Sequence, residues 1–231
     1  MQRRLLVPAT VFLAIIVIAI GGITLYNRSI RQNLYGEIEE QASLKQNLLA
    51  TRDDDHIYGE RNALIKIIEY SDTDCQYCRA LYPRLKRIVD YYPPGTVAMI
   101  YRHIPIYEFR GSIDKEEIMS ECVARERGNE GFFNFIGALF ARLPKGERTQ
   151  NVAESIILES ALEAGVSEKV ARECLEEKYG TALIASQHES GDVLGITTVP
   201  HTFIVSSQEI YEVVGAKPES VFRAIIDSII K

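Results

Sequence analysis

Apolar positions along this 231-residue chain change their period several times, and each change marks an element. Ala63-Leu64-Ile65-Lys66-Ile67-Ile68-Glu69-Tyr70 is an apolar run of buried-strand length, with the strand itself expected over Leu64–Tyr70. From Arg79 to Tyr92 the period becomes helical, carried by Leu81, Leu85, Ile88 and Val89, and Tyr92-Pro93-Pro94-Gly95 stops it. Val97–Tyr101 reads as a second buried strand, which closes a right-handed βαβ unit. Helical spacing then runs through Ile113–Arg127, Gly131–Arg142, Val152–Ala164, Ser167–Tyr179 and Ala182–Leu194, punctuated by Gly128, Pro144, Gly165 and Gly180. Two short β-branched strands follow, Thr202–Val205 and Ile210–Val214, around a turn near Ser206-Ser207-Gln208. Pro218 opens a last helix to Ile230. His56-Ile57-Tyr58-Gly59 reads as a short strand or edge segment ahead of all this.

The N-terminus follows a different pattern. Arg3 and Arg4 precede an uncharged stretch from Leu5 to Leu25, long enough at roughly 1.5 Å per residue to cross the hydrocarbon core of a bilayer. Its length favours an uncleaved membrane anchor, and a cleaved signal peptide ending near Ala19-Ile20-Gly21 is the alternative. Either way the remainder should be exported. Arginines flank the stretch on both sides, so the positive-inside rule decides orientation weakly. The expected division is an anchor over 1–28, a stalk or solvated linker over 29–52, and a folded domain over 53–231 with a helical insertion at about 112–195. Ile30, Leu34, Ile38 and Leu48 stand near helical spacing in the stalk. Asp53-Asp54-Asp55 marks the edge of the folded unit and lacks the alternating ligands of a calcium loop.

The hydrophobic share of 46% supports one good core, and a formal net charge of −6 argues against a nucleic-acid partner. The chemistry concentrates at Cys75-Gln76-Tyr77-Cys78, between the first strand and the helix. Two cysteines three apart at a strand-to-helix turn form the thioredoxin-type redox arrangement. The unpaired N–H groups and positive dipole end of the helix favour a thiolate on Cys75, the exposed candidate nucleophile, with Cys78 as resolving partner. Half of a zinc site is the alternative, but Cys122 and Cys174 stand alone and the four histidines show no ligand spacing. No metal site and no cofactor is expected. The element order, βαβ, a helical block, then ββα, is that of an α/β thioredoxin fold with an inserted helical domain, preceded by an N-terminal transmembrane helix.

From Asp53 to Ile230 the chain resembles the DsbA-like thiol–disulfide oxidoreductases, specifically the membrane-anchored or exported bacterial type. Three segments besides the cysteine pair carry the resemblance: Glu69-Tyr70-Ser71, Arg102-His103-Ile104-Pro105, and Thr198-Val199-Pro200-His201-Thr202-Phe203. The resemblance implies that Pro200 is cis and faces the cysteine pair, an ordinary trans proline opening a strand being the alternative. Having no N–H, it would leave the backbone at Val199 to pair with an extended client, beside Gln76 and Tyr77. It implies that Glu69 lies beneath the inner cysteine and assists its proton transfer, a solvated strand-end carboxylate being the alternative. It also implies a structural disulfide between Cys122 and Cys174, which exported location favours over buried free thiols.

The departures concern redox poise. The strongly oxidising relatives have Pro-His where this chain has Gln76-Tyr77, and Tyr77 supplies no cation for the Cys75 thiolate. Asp72 and Asp74 oppose a thiolate and Arg79 partly offsets them, so a less oxidising site is expected. The favoured activity is oxidation of client protein thiols through a mixed disulfide on Cys75, with an integral-membrane quinone-linked thiol oxidase as reoxidant. A reductase or isomerase with the same residues is the alternative. A module holding a soft metal on Cys75, Cys78 and His201 is a third reading. The expected location is the cell membrane, single-pass, with the catalytic domain on the periplasmic or cell-surface side and the lipid bilayer as a further partner.

Overall fold

The computed structural model describes residues 9–105, 113–146, 149 and 152–231, with side chains from Thr24 onward. It separates into two units, Met1–Leu48 and Leu49–Lys231. In the first, a helix α1 runs through Ala9–Leu48. The segment expected as stalk or linker is therefore helical to Leu48, and the spacing of Ile30, Leu34 and Ile38 is a true helical signal. Most of the apolar stretch Leu5–Leu25, expected as the anchor, lies outside the residues whose side chains are described. Among the described residues, no helix is long and apolar enough to cross a membrane.

The second unit is built on a five-stranded sheet in the order β1-β3-β2-β4-β5: β1 (His56–Tyr58), β2 (Ile65–Ser71), β3 (Val97–His103), β4 (His201–Val205) and β5 (Ile210–Val214). β2 and β3 are parallel, joined through α2 (Gln76–Tyr91), and every other pair is antiparallel. β2 is central and buried on both faces, as its unbroken apolar run requires. Ile65 and Ile67 enter a large core with Leu81, Leu85 and Ile88 of α2 and with Phe222 and Ile226 of α7 (Glu219–Ile230). Ile68 and Tyr70, one residue out of phase, enter a smaller core on the opposite face with Cys75, Cys78, Val199 and Phe203.

Among the described residues between β3 and β4 are four helices: α3 (Lys115–Arg142), α4 (Glu154–Glu163), α5 (Glu168–Glu177) and α6 (Thr181–Val193). The two helices expected around Gly128 are one helical run broken at that residue, whose φ of 63° and ψ of −160° a side chain would resist. Ser167 caps α5 by accepting the Val170 N–H at 3.4 Å. A bond between Cys122 and Cys174 ties α3 to α5, with the Cα atoms 5.9 Å apart.

Candidate active site

β2 ends at Ser71, and a tight turn delivers the chain into α2. Asp72 Oδ1 accepts the Asp74 N–H at 2.8 Å, and the Asp72 carbonyl accepts the Cys75 N–H at 3.1 Å. The turn leaves Cys75 as N-cap of α2, where its Sγ accepts the Cys78 N–H at 3.4 Å. The sulfur thus occupies the open N–H end of the helix. Hydrogen bonding from the Cys78 side chain is the strongest influence on it. Burial opposes that, the N–H groups of Cys78 and Tyr77 reinforce it, and the Asp72 charge resists, leaving the thiol lowered to about 7. Cys78 goes the other way: burial pushes its thiol well up, and the neighbouring Cys75 sulfur adds to the effect. One sulfur is poised as a thiolate and the other is held protonated.

Of the two acids expected to oppose a thiolate, Asp72 acts on Cys75, while the Asp74 carboxyl lies within 4.8 Å of Asp114 and Glu116. Hydrogen bonding from the Cys78 side chain, joined by the Cys78 and Tyr77 N–H groups, outweighs the Asp72 charge. Arg79 is bound to the carbonyls of Thr73, Asp74 and Pro144, at 3.3, 2.9 and 3.2 Å, so it pins the turn as well as adding positive charge.

Val199 and Pro200 lie across from the cysteines on the segment leading into β4. Their peptide bond is cis, and the Val199 carbonyl accepts from the Cys75 thiol at 3.7 Å. Tyr77 is 59% exposed at the start of α2, and Gln76 is half-buried beside it. Glu69 is fully buried, on the face of β2 that carries Ile65 and Ile67. Burial raises its carboxyl to about 8, against a lowering by the Ser71 hydroxyl, which donates to Oε1 at 3.2 Å. Oε2 has no hydrogen-bond partner among the described residues. The charge of Glu69 acts on Cys78, and that of Cys75 acts on Glu69, so the three titrate in one field. His201, the third member of the soft-metal reading, instead bonds Glu212 through Nε2 at 2.9 Å.

Several polar residues to which the sequence assigned no packing partner are part of the frame. Arg102 is buried with two bonds to Asp55, at 2.8 and 2.9 Å, and one to the Tyr70 hydroxyl at 3.1 Å. Glu121 receives both His56 and His103 on one oxygen, at 2.8 and 3.0 Å. Glu116 and Glu117 are buried at the start of α3. Helical periodicity could not single these out, because α3 is buried on all sides from Glu116 to Val123.

With this geometry in view, a thioredoxin family model matches residues 51–228. The chain belongs to the thioredoxin family. Solved structures share its fold. The thiol-disulfide exchange protein α-DsbA2 of Wolbachia pipientis is 20% identical, covers 82% of this chain and 94% of its own, and superposes with a TM-score of 0.63. A periplasmic thioredoxin-like protein of Salmonella enterica serovar Typhimurium is 20% identical, with 80% and 95% covered and a TM-score of 0.55. Among curated sequences, the Na(+)/H(+) antiporter NhaA 3 of Salinispora tropica is 25% identical over 153 residues. That match takes 66% of this thioredoxin-family chain and only 22% of the antiporter's length.

Proposed function

We propose that this chain is a protein dithiol–disulfide oxidoreductase that oxidises client thiols. The observation that carries the reading is the contrast at α2, with Cys75 drawn to about 7 at the helix end and Cys78 held protonated behind it. In the oxidised enzyme a client thiolate attacks Cys75 Sγ. The Cys75–Cys78 bond breaks, the electron pair goes to Cys78, and Glu69, protonated near neutral pH, supplies its proton. A second client thiol, giving up its proton, attacks the mixed disulfide. The client leaves oxidised and Cys75 leaves as a thiolate that the helix end stabilises. The client's extended backbone lies against Val199 and Pro200, with Gln76 and Tyr77 at the rim. A quinone-linked membrane thiol oxidase then takes the two electrons. One feature favours the reverse direction, a reductase or isomerase: Asp72 opposes the thiolate and neither Gln76 nor Tyr77 offers a cation.

The exported location rests on the 21 uncharged residues Leu5–Leu25 and on the fold shared with a periplasmic relative. An anchor over 1–28 followed by the helical segment to Leu48 would hold the domain at the extracytoplasmic face of the bilayer. The deciding experiment equilibrates the full chain in glutathione redox buffers. An equilibrium constant in the range of known oxidases supports oxidation, whereas one near that of thioredoxin assigns reduction. Cys75→Ser should abolish exchange, and Cys78→Ser should accumulate mixed disulfides with clients. A Cys78→Ser protein that traps nothing would overturn the assigned roles.

A further inference from the structure

We propose that Tyr101 and Thr202, on the strands either side of Glu69, are positioning residues that hold a buried water between the Glu69 carboxyl and Cys78. Register places the three side by side. Glu69 of β2 stands opposite Tyr101 of β3 and opposite Thr202 of β4. Residues opposite one another in a sheet point to the same face, which here is that of the large core holding Ile67, Tyr101 and Ile204.

All three residues are fully buried. Glu69 Oε2, the Tyr101 hydroxyl and Thr202 Oγ1 each lack a hydrogen-bond partner among the described residues. Ser71 commits its proton to Glu69 Oε1, at 3.2 Å, and it influences the Tyr101 hydroxyl without reaching hydrogen-bond geometry. Three desolvated polar atoms, none satisfied by another, call for a small ligand that both donates and accepts. Water meets that need, since a buried water makes about three hydrogen bonds to such groups.

This inference rests on the proposed redox function and supplies a link that function needs. The charge of Glu69 acts on Cys78, yet among the described residues Glu69 makes no hydrogen bond to it. A proton passing between them has a gap to cross, and water spans such gaps. When Cys78 Sγ leaves the disulfide with the bonding pair, the water gives it a proton and takes one from Glu69 Oε2. When Cys78 later attacks to reform a disulfide, the proton retraces that path. Tyr101 and Thr202 keep their own protons and orient the water. Burial pushes the Tyr101 hydroxyl well above its ordinary range, so it remains a donor throughout. Their removal therefore changes the rate of exchange and leaves its end states alone.

The test is stopped-flow reduction of the oxidised full chain by glutathione at pH 7. Tyr101→Phe and Thr202→Val each remove one hydroxyl, and each should slow reduction about tenfold while keeping the glutathione equilibrium within about twofold. Thr202→Ser, which retains the hydroxyl, should restore the rate. Placed on top of Glu69→Gln, Tyr101→Phe should slow exchange no further; a full additional loss would show that Tyr101 acts apart from Glu69 and overturn the path. Tyr92→Phe, whose hydroxyl bonds Asp227 instead, should exchange like the parent. Thermal unfolding will verify that the variants fold. The infrared C=O band of protonated Glu69, identified by its loss in Glu69→Gln, should shift in Tyr101→Phe and in Thr202→Val. An unshifted band, or parent-like rates in both variants, overturns the water site. A parent chain that does not exchange with glutathione, while its Glu69 band shifts in the variants, counts against the redox function and leaves the site standing.

Discussion

Two groups of buried charge flank the sheet, and they are handled in opposite ways. In one, every charge has a partner: Asp55 grips Arg102 with both oxygens, and Glu121 binds His56 and His103 together. Burial would raise the Glu121 carboxyl, but the two histidines outweigh it and bring it down to about 2. In the other group, around Cys75 and Cys78, Glu69 Oε2, Glu116 Oε1 and both oxygens of Glu117 are buried with no hydrogen-bond partner among the described residues. Burial dominates there, raising Glu69 to about 8 and Glu116 to about 9. Paired charge fixes the frame. A buried carboxyl with an unpartnered oxygen is left free to change its protonation, and Glu69, which acts on Cys78, is such a group.

The comparison can be broken most forcefully at Arg102. Asp55→Ala should cost about 3–5 kcal/mol, because it strands a guanidinium in the core. Urea unfolding will measure the loss, and the glutathione equilibrium of the folded variant should be unchanged. Glu121→Gln should cost roughly 1–3 kcal/mol at pH 7, from the loss of two charge-assisted bonds. The parent's advantage is present above the ordinary carboxylate range and is lost as pH falls through about 2, so the two stability curves should converge in acid.

Glu69 should behave with the opposite sign. Its raised pKa makes the folded state hold a proton the unfolded chain releases, so stability falls as pH rises from about 4.5 through about 8. Glu69→Gln should remove that slope, gaining about 1–2 kcal/mol at pH 8 while slowing disulfide exchange at least tenfold. A loss of stability at pH 8 would place Glu69 with the structural charges instead. The smallest effect concerns Asp72. Alkylation of reduced Cys75 should rise through pH about 7, and Asp72→Asn should move that midpoint slightly downward, since it removes an opposing charge.

Much of the fold was legible in the sequence because the elements carry unambiguous periods. Ile210–Val214 was placed to the residue, and Gly128 was recognised as a break. The cysteine pair was equally plain, since spacing and helix start are local properties, but Cys75, expected as the exposed sulfur, is only 6% exposed because the segment of Val199 and Pro200 packs over it. The buried partners were not. Asp55 reads as one of three consecutive acids and becomes a core residue only when β1 pairs with β3 and brings Arg102 over it. Gly180 reads as a helix stop, yet a Cβ there would come within 2.4 Å of Glu121, on another helix. Glu69 was undecided between solvent and core because the last residue of a strand run can lie in either.

The sequence by itself determined which residues can do thiol chemistry and the order of strands and helices that carries them, because those follow from side-chain type and short-range period. Only the tertiary structure decided how the sulfurs differ and which acids act on them. Desolvation and charge act through space, and the distances that set them join residues far apart in the chain, such as Cys75 with Val199 and Asp74 with Glu116.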